Sequence, residues 1–170
     1  MASAAAAADS AAAVRPGGGR HEDQTHPRSA LIAIEQAIKV SETEHAGEIR
    51  FAVEGALDGL PLFKGHSARD RAIDLFSQLR VWDTRHNTGV LIYLLLADRA
   101  VEIVADRGID AKVEPQEWSK VCRRMEAAFR QSNYEAGVVS GVQAVTEQLM
   151  KHFPADGRND NELPDKPVVL

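Results

Sequence analysis

An α/β fold is the class this sequence of 170 residues predicts. More narrowly, it predicts an αβα sandwich, a small mixed sheet of about three to four strands that includes a β-hairpin, with helices on both faces. Three observations carry it. Apolar residues recur at helical spacing in several separate segments, as amphipathic helices require. The run Gly89-Val90-Leu91-Ile92-Tyr93-Leu94-Leu95-Leu96 is apolar on both faces, which suits a central strand covered from two sides. The order then reads α-β-α-β-β-α-α, an alternation that packs helices against both faces of one sheet.

The elements follow in chain order. A first helix is expected between Ser29 and His45, with Leu31, Ile34, Ile38 and Ser41 on one face. Glu48 to Glu54 alternates, Ile49, Phe51 and Val53 falling on one side, as in a strand. Ser67-Ala68-Arg69-Asp70 reads as a capping box opening a second helix, whose inward stripe is Ala72, Leu75, Phe76 and Leu79. After the central strand, Asp98-Arg99 turns the chain and Val101 to Asp106 returns antiparallel. Pro115 suits the first turn of a third helix, with Trp118, Val121, Cys122, Met125 and Phe129 inward. Ser132-Asn133-Tyr134-Glu135 reads as another capping box; the helix it opens runs to Phe153 with Val138, Val142, Val145 and Leu149 inward.

Composition sets the limits. Residues 1–28 are alanine-rich, then glycine-rich, then polar, and are expected to form a disordered tail, because they cannot bury enough surface to offset the entropy of ordering them. The domain is expected at 29–153, followed by a proline-containing C-terminal tail at 154–170, with no internal repeat. A formal charge of −5 offers no broad polycation for nucleic acid. The single Cys122 excludes an internal disulfide and a cysteine-cluster zinc site. The longest apolar run stops at Asp98-Arg99, well short of the ~20 residues of a membrane-spanning helix. The N-terminus has no positive charge before Arg15 and only weakly apolar alanines, unlike a secretory signal, so a cytoplasmic location is expected.

The hairpin concentrates the chemistry. If Ala97 pairs with Ala100, Gly89 lies opposite Gly108 and Asn87 opposite Asp110. The carboxylates of Asp83, Asp106 and Asp110 and the amide of Asn87 then converge at one end of the hairpin, with Asp98 at the other. All-oxygen ligands suit a hard cation, calcium or magnesium, rather than zinc. The same residue types also end strands and cap turns without any ligand. A second acidic group, Glu42, Glu44, His45 and Glu48, is read as a solvated helix end, although Glu42 and His45 share a face at a spacing that metal-binding helices use. Lys120, Arg123, Arg124 and Arg130 could hold a phosphate but fit the exposed face of a helix buried on its other side.

The remaining residues read as structural. Gly137, Gly141 and Ala144 form a small flank for close helix packing, and Cys122 is read as an inert core thiol. Trp82 belongs either to the core or to a lid over the Asp83 loop. No glycine-rich phosphate loop, nucleophile elbow or Cys-His pair is present, and no organic cofactor is expected.

At these residues the chain resembles the TPM domain family, named after thylakoid, photosystem II repair and acetylcholine-receptor modulator proteins. The resemblance covers about Ala30 to Phe153. It rests on His86-Asn87-Thr88-Gly89-Val90-Leu91-Ile92 entering the central strand, on Asp98-Arg99-Ala100-Val101-Glu102-Ile103, and on the glycine loop after it. Glu42 to Ile49, Leu79 to Thr84 and the closing Asn161-Glu162-Leu163-Pro164 are similar to a bacterial stand-alone subgroup. The resemblance implies an αβα sandwich, divalent-cation binding and, by analogy with the plant thylakoid member, acid phosphatase activity. Two departures stand out. Asp106-Arg107-Gly108 replaces the family's Gly-x-Gly, and the signal peptide and membrane anchor of many relatives are not seen here.

Two functions follow as expectations. One is a non-catalytic module that binds a divalent cation and a protein partner, assisting assembly or turnover of a membrane complex. The other is metal-assisted phosphomonoester hydrolysis, with Asp83, Asp106 and Asp110 holding the cation, Asn87 orienting phosphate and Arg107 neutralising developing charge.

Overall fold

The computed structural model describes residues 27–57, 65–157 and 160–170. Residues 1–26 of the expected N-terminal tail lie outside the described residues, and the last two of that tail, Pro27 and Arg28, already belong to helix α1. The elements are α1 (Pro27–Ser41), β1 (Glu48–Glu54), α2 (Ala68–Gln78), β2 (Gly89–Leu95), β3 (Ala100–Ala105), α3 (Arg107–Asp110), α4 (Pro115–Arg130), α5 (Tyr134–His152) and β4 (Val168–Val169). Among the described residues they form a four-stranded mixed sheet in the order β3-β2-β1-β4. β1 runs parallel to β2 and β4, while β2 and β3 form the antiparallel hairpin.

Helices cover both faces, as the sequence predicts. On one side α1, α4 and α5 bury Ile49, Phe51, Val90, Ile92, Leu94, Val101 and Ile103 against Ile38, Val121, Met125, Phe129, Val142 and Leu149. On the other, α2 packs Ala72 and Leu75 on Ala52, Leu91, Tyr93, Leu95 and Val104. Burial of this apolar surface, at about 25 cal/mol per Å², is the main force holding the layers together. All seven residues of β2 are buried, as befits a strand inside the sheet and covered on both faces. Gly137 and Gly141 serve the close packing expected of them. A Cβ at Gly137 would stand 2.7 Å from Phe129 Cε1, and one at Gly141 would stand 2.3 Å from Met125 Sδ.

The structure differs from expectation at four places. Leu95, not Ala97, faces Ala100, so the reversal takes in Leu96 to Arg99, with Arg99 at φ 51°. The shift is by two residues, so every side chain keeps its face. Ser67 and Asp70 do form the reciprocal capping box of α2. The second expected box does not form. Ser132, at φ 62°, is spent ending α4, its N–H donating to the Phe129 carbonyl, and Asn133 caps α5 without a side-chain bond. A left-handed residue closing a helix cannot hold the extended backbone of an N-cap.

The third difference is α3, a single turn that the sequence pattern did not announce. The last concerns residues 154–170, expected to be a tail outside the core. Instead Leu163 is 6% exposed within the α2-side cluster, and β4 pairs with β1 through Ala52–Val168 and Val53–Val169. The physical reason lies in β1. Glu48, Arg50 and Glu54 line its α2-facing side, and α2 covers only part of it, so the C-terminal segment completes the layer.

Candidate functional site

The hairpin corner is built by two close approaches of backbone. Gly89 passes Val81 so tightly that a Cβ would stand 1.9 Å from its carbonyl oxygen. Gly108 lies against the preceding loop, where a Cβ would stand 2.5 Å from the carbonyl oxygen of Asn87 and 2.8 Å from that of His86. The N–H of Gly108 donates to the Asn87 carbonyl at 3.1 Å, and that of Asp106 to the Gly89 carbonyl at 2.8 Å. Asn87 takes the left-handed conformation, φ 55°, which asparagine tolerates better than most residues.

These approaches bring Asn87, Asp106, Arg107 and Asp110 to one corner. Arg107 Nε donates to Asn87 Oδ1 at 3.1 Å. Asp106 is only 8% exposed; its Oδ1 accepts the Arg107 N–H at 2.7 Å, as the cap of α3. Its Oδ2 is buried without a hydrogen-bond partner among the described residues. Such an oxygen is costly unless something else satisfies it. Asp110 is held above the usual carboxylate range, mainly by burial, with Arg69 opposing and Asp106 adding to the shift. Asp83 is committed elsewhere: its carboxylate takes Arg80 Nη2 at 2.8 Å on the surface. Trp82 belongs neither to the core nor to a lid; it is 48% exposed under the Arg80 guanidinium.

A cation fits this corner in one limited sense. Among the described residues no group of three or more His, Cys, Asp and Glu side chains is gathered as a metal would need. The donors present are Asp106, Asp110 and the Asn87 amide, all hard oxygens. Magnesium commonly binds through one or two carboxylates and keeps its waters, and calcium accepts amide and backbone oxygens.

The second acidic group is not a solvated helix end. Glu44 is exposed, but Glu42, His45 and Glu48 are buried. Glu42 Oε1 accepts the Ile49 N–H at 2.8 Å, and its carboxyl is pushed up to about 9, chiefly by burial. Glu48 Oε2 accepts the Leu163 N–H at 3.0 Å, and Arg50 donates to the carbonyls of Pro164 and Lys166. Asn161 Nδ2 holds Asp165, and Glu162 accepts the Arg85 N–H at 2.9 Å, so this segment also braces the loop leading to the corner.

His45 is equally committed. Its Nδ1 accepts the Gly47 N–H at 3.2 Å, so Nε2 carries the proton and donates to Ser41 Oγ at 2.8 Å. Ser41 in turn donates to Thr146 Oγ1 and Thr146 to the Val142 carbonyl. Burial pushes this imidazole down to about 4, so it is neutral at physiological pH. Sequence reasoning located these residues but not their burial; the signal available was the run of charged residues alternating along β1.

The basic face of α4 is as expected, with Lys120, Arg123, Arg124 and Arg130 exposed and Lys120 paired to Glu117 at 2.6 Å. Cys122 is half-buried rather than inside the core, and burial followed by Glu102 and Glu126 pushes its thiol up to about 12.

A mixed four-stranded sheet between helical layers, with a glycine-locked corner at the base of its hairpin, defines an αβα sandwich carrying an open surface site. The TPM domain family matches residues 27–148, and the chain belongs to that family. The BA42 protein of the psychrophilic bacterium Bizionia argentinensis is 28% identical, with TM-score 0.76 over 88% of this chain and 98% of that one. The N-terminal domain of a P. gingivalis protein (24% identity, TM-score 0.56, 69% of this chain and 74% of that one) shares the fold. So does that of cg2496 from Corynebacterium glutamicum (11%, 0.54, 81% and 86%). No curated protein sequence matches the chain. Among the described residues no helix is long and apolar enough to cross a membrane.

Proposed function

We propose that this TPM-domain protein is a non-catalytic module that binds a divalent cation, calcium or magnesium, at the hairpin corner and engages a protein partner in the assembly or turnover of a membrane complex. The observation that carries the cation reading is Asp106 Oδ2, a buried carboxylate oxygen without a partner, beside Asp110 and Asn87. Asp106 and Asp110 supply the charge, Asn87 supplies an amide oxygen once Arg107 swings off it, and waters complete the shell. Asp83 contributes only if it leaves Arg80.

The test is a two-dimensional amide NMR titration of the full chain with calcium, then magnesium. Shifts confined to residues 84–89 and 106–110, lost in Asp106→Asn, are expected. A flat titration with both ions removes the cation from the reading.

Hydrolysis of phosphomonoesters is the second reading, favoured by the Arg107 guanidinium held on Asn87 beside the same carboxylates. A phosphate there would be oriented by Asn87 and its charge offset by Arg107. His45 is no general acid for it, being buried in its own hydrogen-bond chain. Turnover of p-nitrophenyl phosphate that disappears in Asp106→Ala with an unchanged circular dichroism spectrum would favour this reading over the non-catalytic one.

A further inference from the structure

The sheet ends at β3, and its outer edge is occupied in an unusual way. Asp106 and Gly89 form a hydrogen-bonded pair, so in this antiparallel ladder residues 100, 102 and 104 turn their backbone groups toward β2. Val101, Ile103 and Ala105 therefore turn theirs outward. Side chains have taken several of these places. Glu126 Oε1 accepts the Val101 N–H at 3.2 Å, Arg69 Nη1 donates to the Ile103 carbonyl at 2.5 Å, and the Cys122 sulfur receives the Ile103 N–H. Beside this edge runs a groove of about 650 Å³ between β3 and α4, with Arg69 on its α2 side. Trp118 lines it, 7% exposed, and its indole Nε1 is buried with no acceptor among the described residues.

We propose that this groove docks an extended, basic peptide segment of a partner protein, which adds to β3 as a further strand. The proposal rests on the protein-interaction part of the function above and needs no cation; its surface meets the hairpin corner only at Asp110. An incoming strand offers N–H and C=O groups at the spacing β3 presents, and main-chain pairing of this kind gives affinity while side-chain pockets give selectivity. Its carbonyls replace Glu126 and Cys122, and its N–H replaces Arg69. The indole of Trp118 lies within the same groove as a donor in search of an acceptor.

Charge decides the occupant. Arg69, displaced from the Ile103 carbonyl, still has Glu102 at 3.4 Å. Glu126, displaced from Val101, has the exposed Arg123 on its own helix, and Asp110 at the Ala105 end feels Arg69 but has no salt bridge among the described residues, so three carboxylates face two guanidinium groups along the groove. Glu126 and Asp110 mark the two ends of the outward edge, where the covering side chains leave Val101 and Ile103 only 3% and 4% exposed; they lie some four residues apart or about 13 Å at strand rise. Lysines or arginines spaced by four along an extended segment would meet both.

The experiment titrates the full ¹⁵N-labelled chain, in chelator-treated buffer, with the capped peptide VKVTVKV and with its counterpart VEVTVEV. The expected result is amide shifts centred on Val101, Ile103 and Ala105 together with the Trp118 indole N–H, and about a hundredfold tighter binding of the lysine peptide, about tenfold for each of the two charge-assisted contacts. Glu126→Gln, a half-buried site that should fold normally, is expected to reduce that preference to about tenfold, the part Asp110 supplies. Silence at β3 up to millimolar peptide, equal binding of both peptides, or shifts centred on another face would overturn the proposal. A chain that answers calcium at the corner yet ignores both peptides places the failure here. Peptide binding without a calcium response places it in the cation reading.

Discussion

Gly108 and Asn87 are locked together twice over: the Gly108 N–H donates to the Asn87 carbonyl at 3.1 Å, and the Gly108 Cα passes that oxygen too closely to carry a side chain. This contact fastens the loop before β2 to the turn after β3. It is the reason Arg107, whose N–H Asp106 caps, reaches Asn87 with its guanidinium. The neighbouring Gly89 does the same against Val81 at the entry to β2.

Gly108→Ala is accordingly expected to destabilise the fold by about 1–3 kcal/mol, the range for an overpacked site whose opposing atoms are backbone. Gly55→Ala, with nothing among the described residues within 4 Å of its Cβ, is the control and should stay within about 0.5 kcal/mol of the parent. Urea unfolding midpoints of the two variants decide the point.

A pH dependence follows from Glu42. Burial pushes its folded carboxyl up to about 9 from the usual 4.5, so the folded chain holds a proton that the unfolded chain releases in between. Its contribution to stability is complete below about 4.5 and is lost as pH rises toward 9. Glu48 is raised in the same direction, also by burial. His45, pushed down to about 4 from 6.5, acts oppositely: stability falls as pH drops through that range. Between pH 7 and 9 Glu42 therefore sets most of the slope, with Cys122, pushed up to about 12 from 9.0, adding to it as pH nears 9. Glu42→Gln keeps an acceptor for Ile49 and a donor toward Asp165, and should flatten the decline in unfolding free energy over that window. An unchanged slope would contradict the assignment.

The C-terminal segment is predicted to be part of the cooperative fold. Leu163→Ala should cost about 2–4 kcal/mol, as for other buried leucines, rather than the near-zero effect of a tail residue. Thermal melts and chemical unfolding of the variant give the same comparison by independent routes. Because Glu162 also accepts the Arg85 N–H, amide shifts in the 84–88 loop should accompany the loss.

Arg71 and Glu54 form a buried bidentate pair at 2.9 and 3.0 Å, and Tyr93 Oη donates to the same carboxylate at 2.7 Å. Glu54→Gln removes the bidentate counter-charge of the guanidinium, leaving Asp74 as the other carboxylate acting on it, and should cost about 3–5 kcal/mol. Pairing it with Arg71→Met should recover much of that loss, because an uncharged pair leaves no buried ion behind. A double variant no more stable than Glu54→Gln alone would show that the packing, not the charge, is what matters there.

The sequence by itself determined the layers. Helical periodicity, the two-sided apolar run from Gly89 and the capping box at Ser67 are local signals, and each element they announce is present with its inward face correct. The corner was legible for a related reason: a tight hairpin fixes which loops become neighbours, and a register error of two residues leaves Asn87 beside the Asp106–Asp110 turn. Tertiary structure alone decided the rest. Whether Glu42, Glu48 and Arg50 meet water or protein depends on a segment more than a hundred positions away in the chain, and no local period in 154–170 records that it docks on β1. Asp83 has the composition of a ligand but is held by Arg80, and Ser132 has the composition of a cap but ends the preceding helix. Residue type sets what a side chain can do. Which partner reaches it first is settled only when distant segments pack.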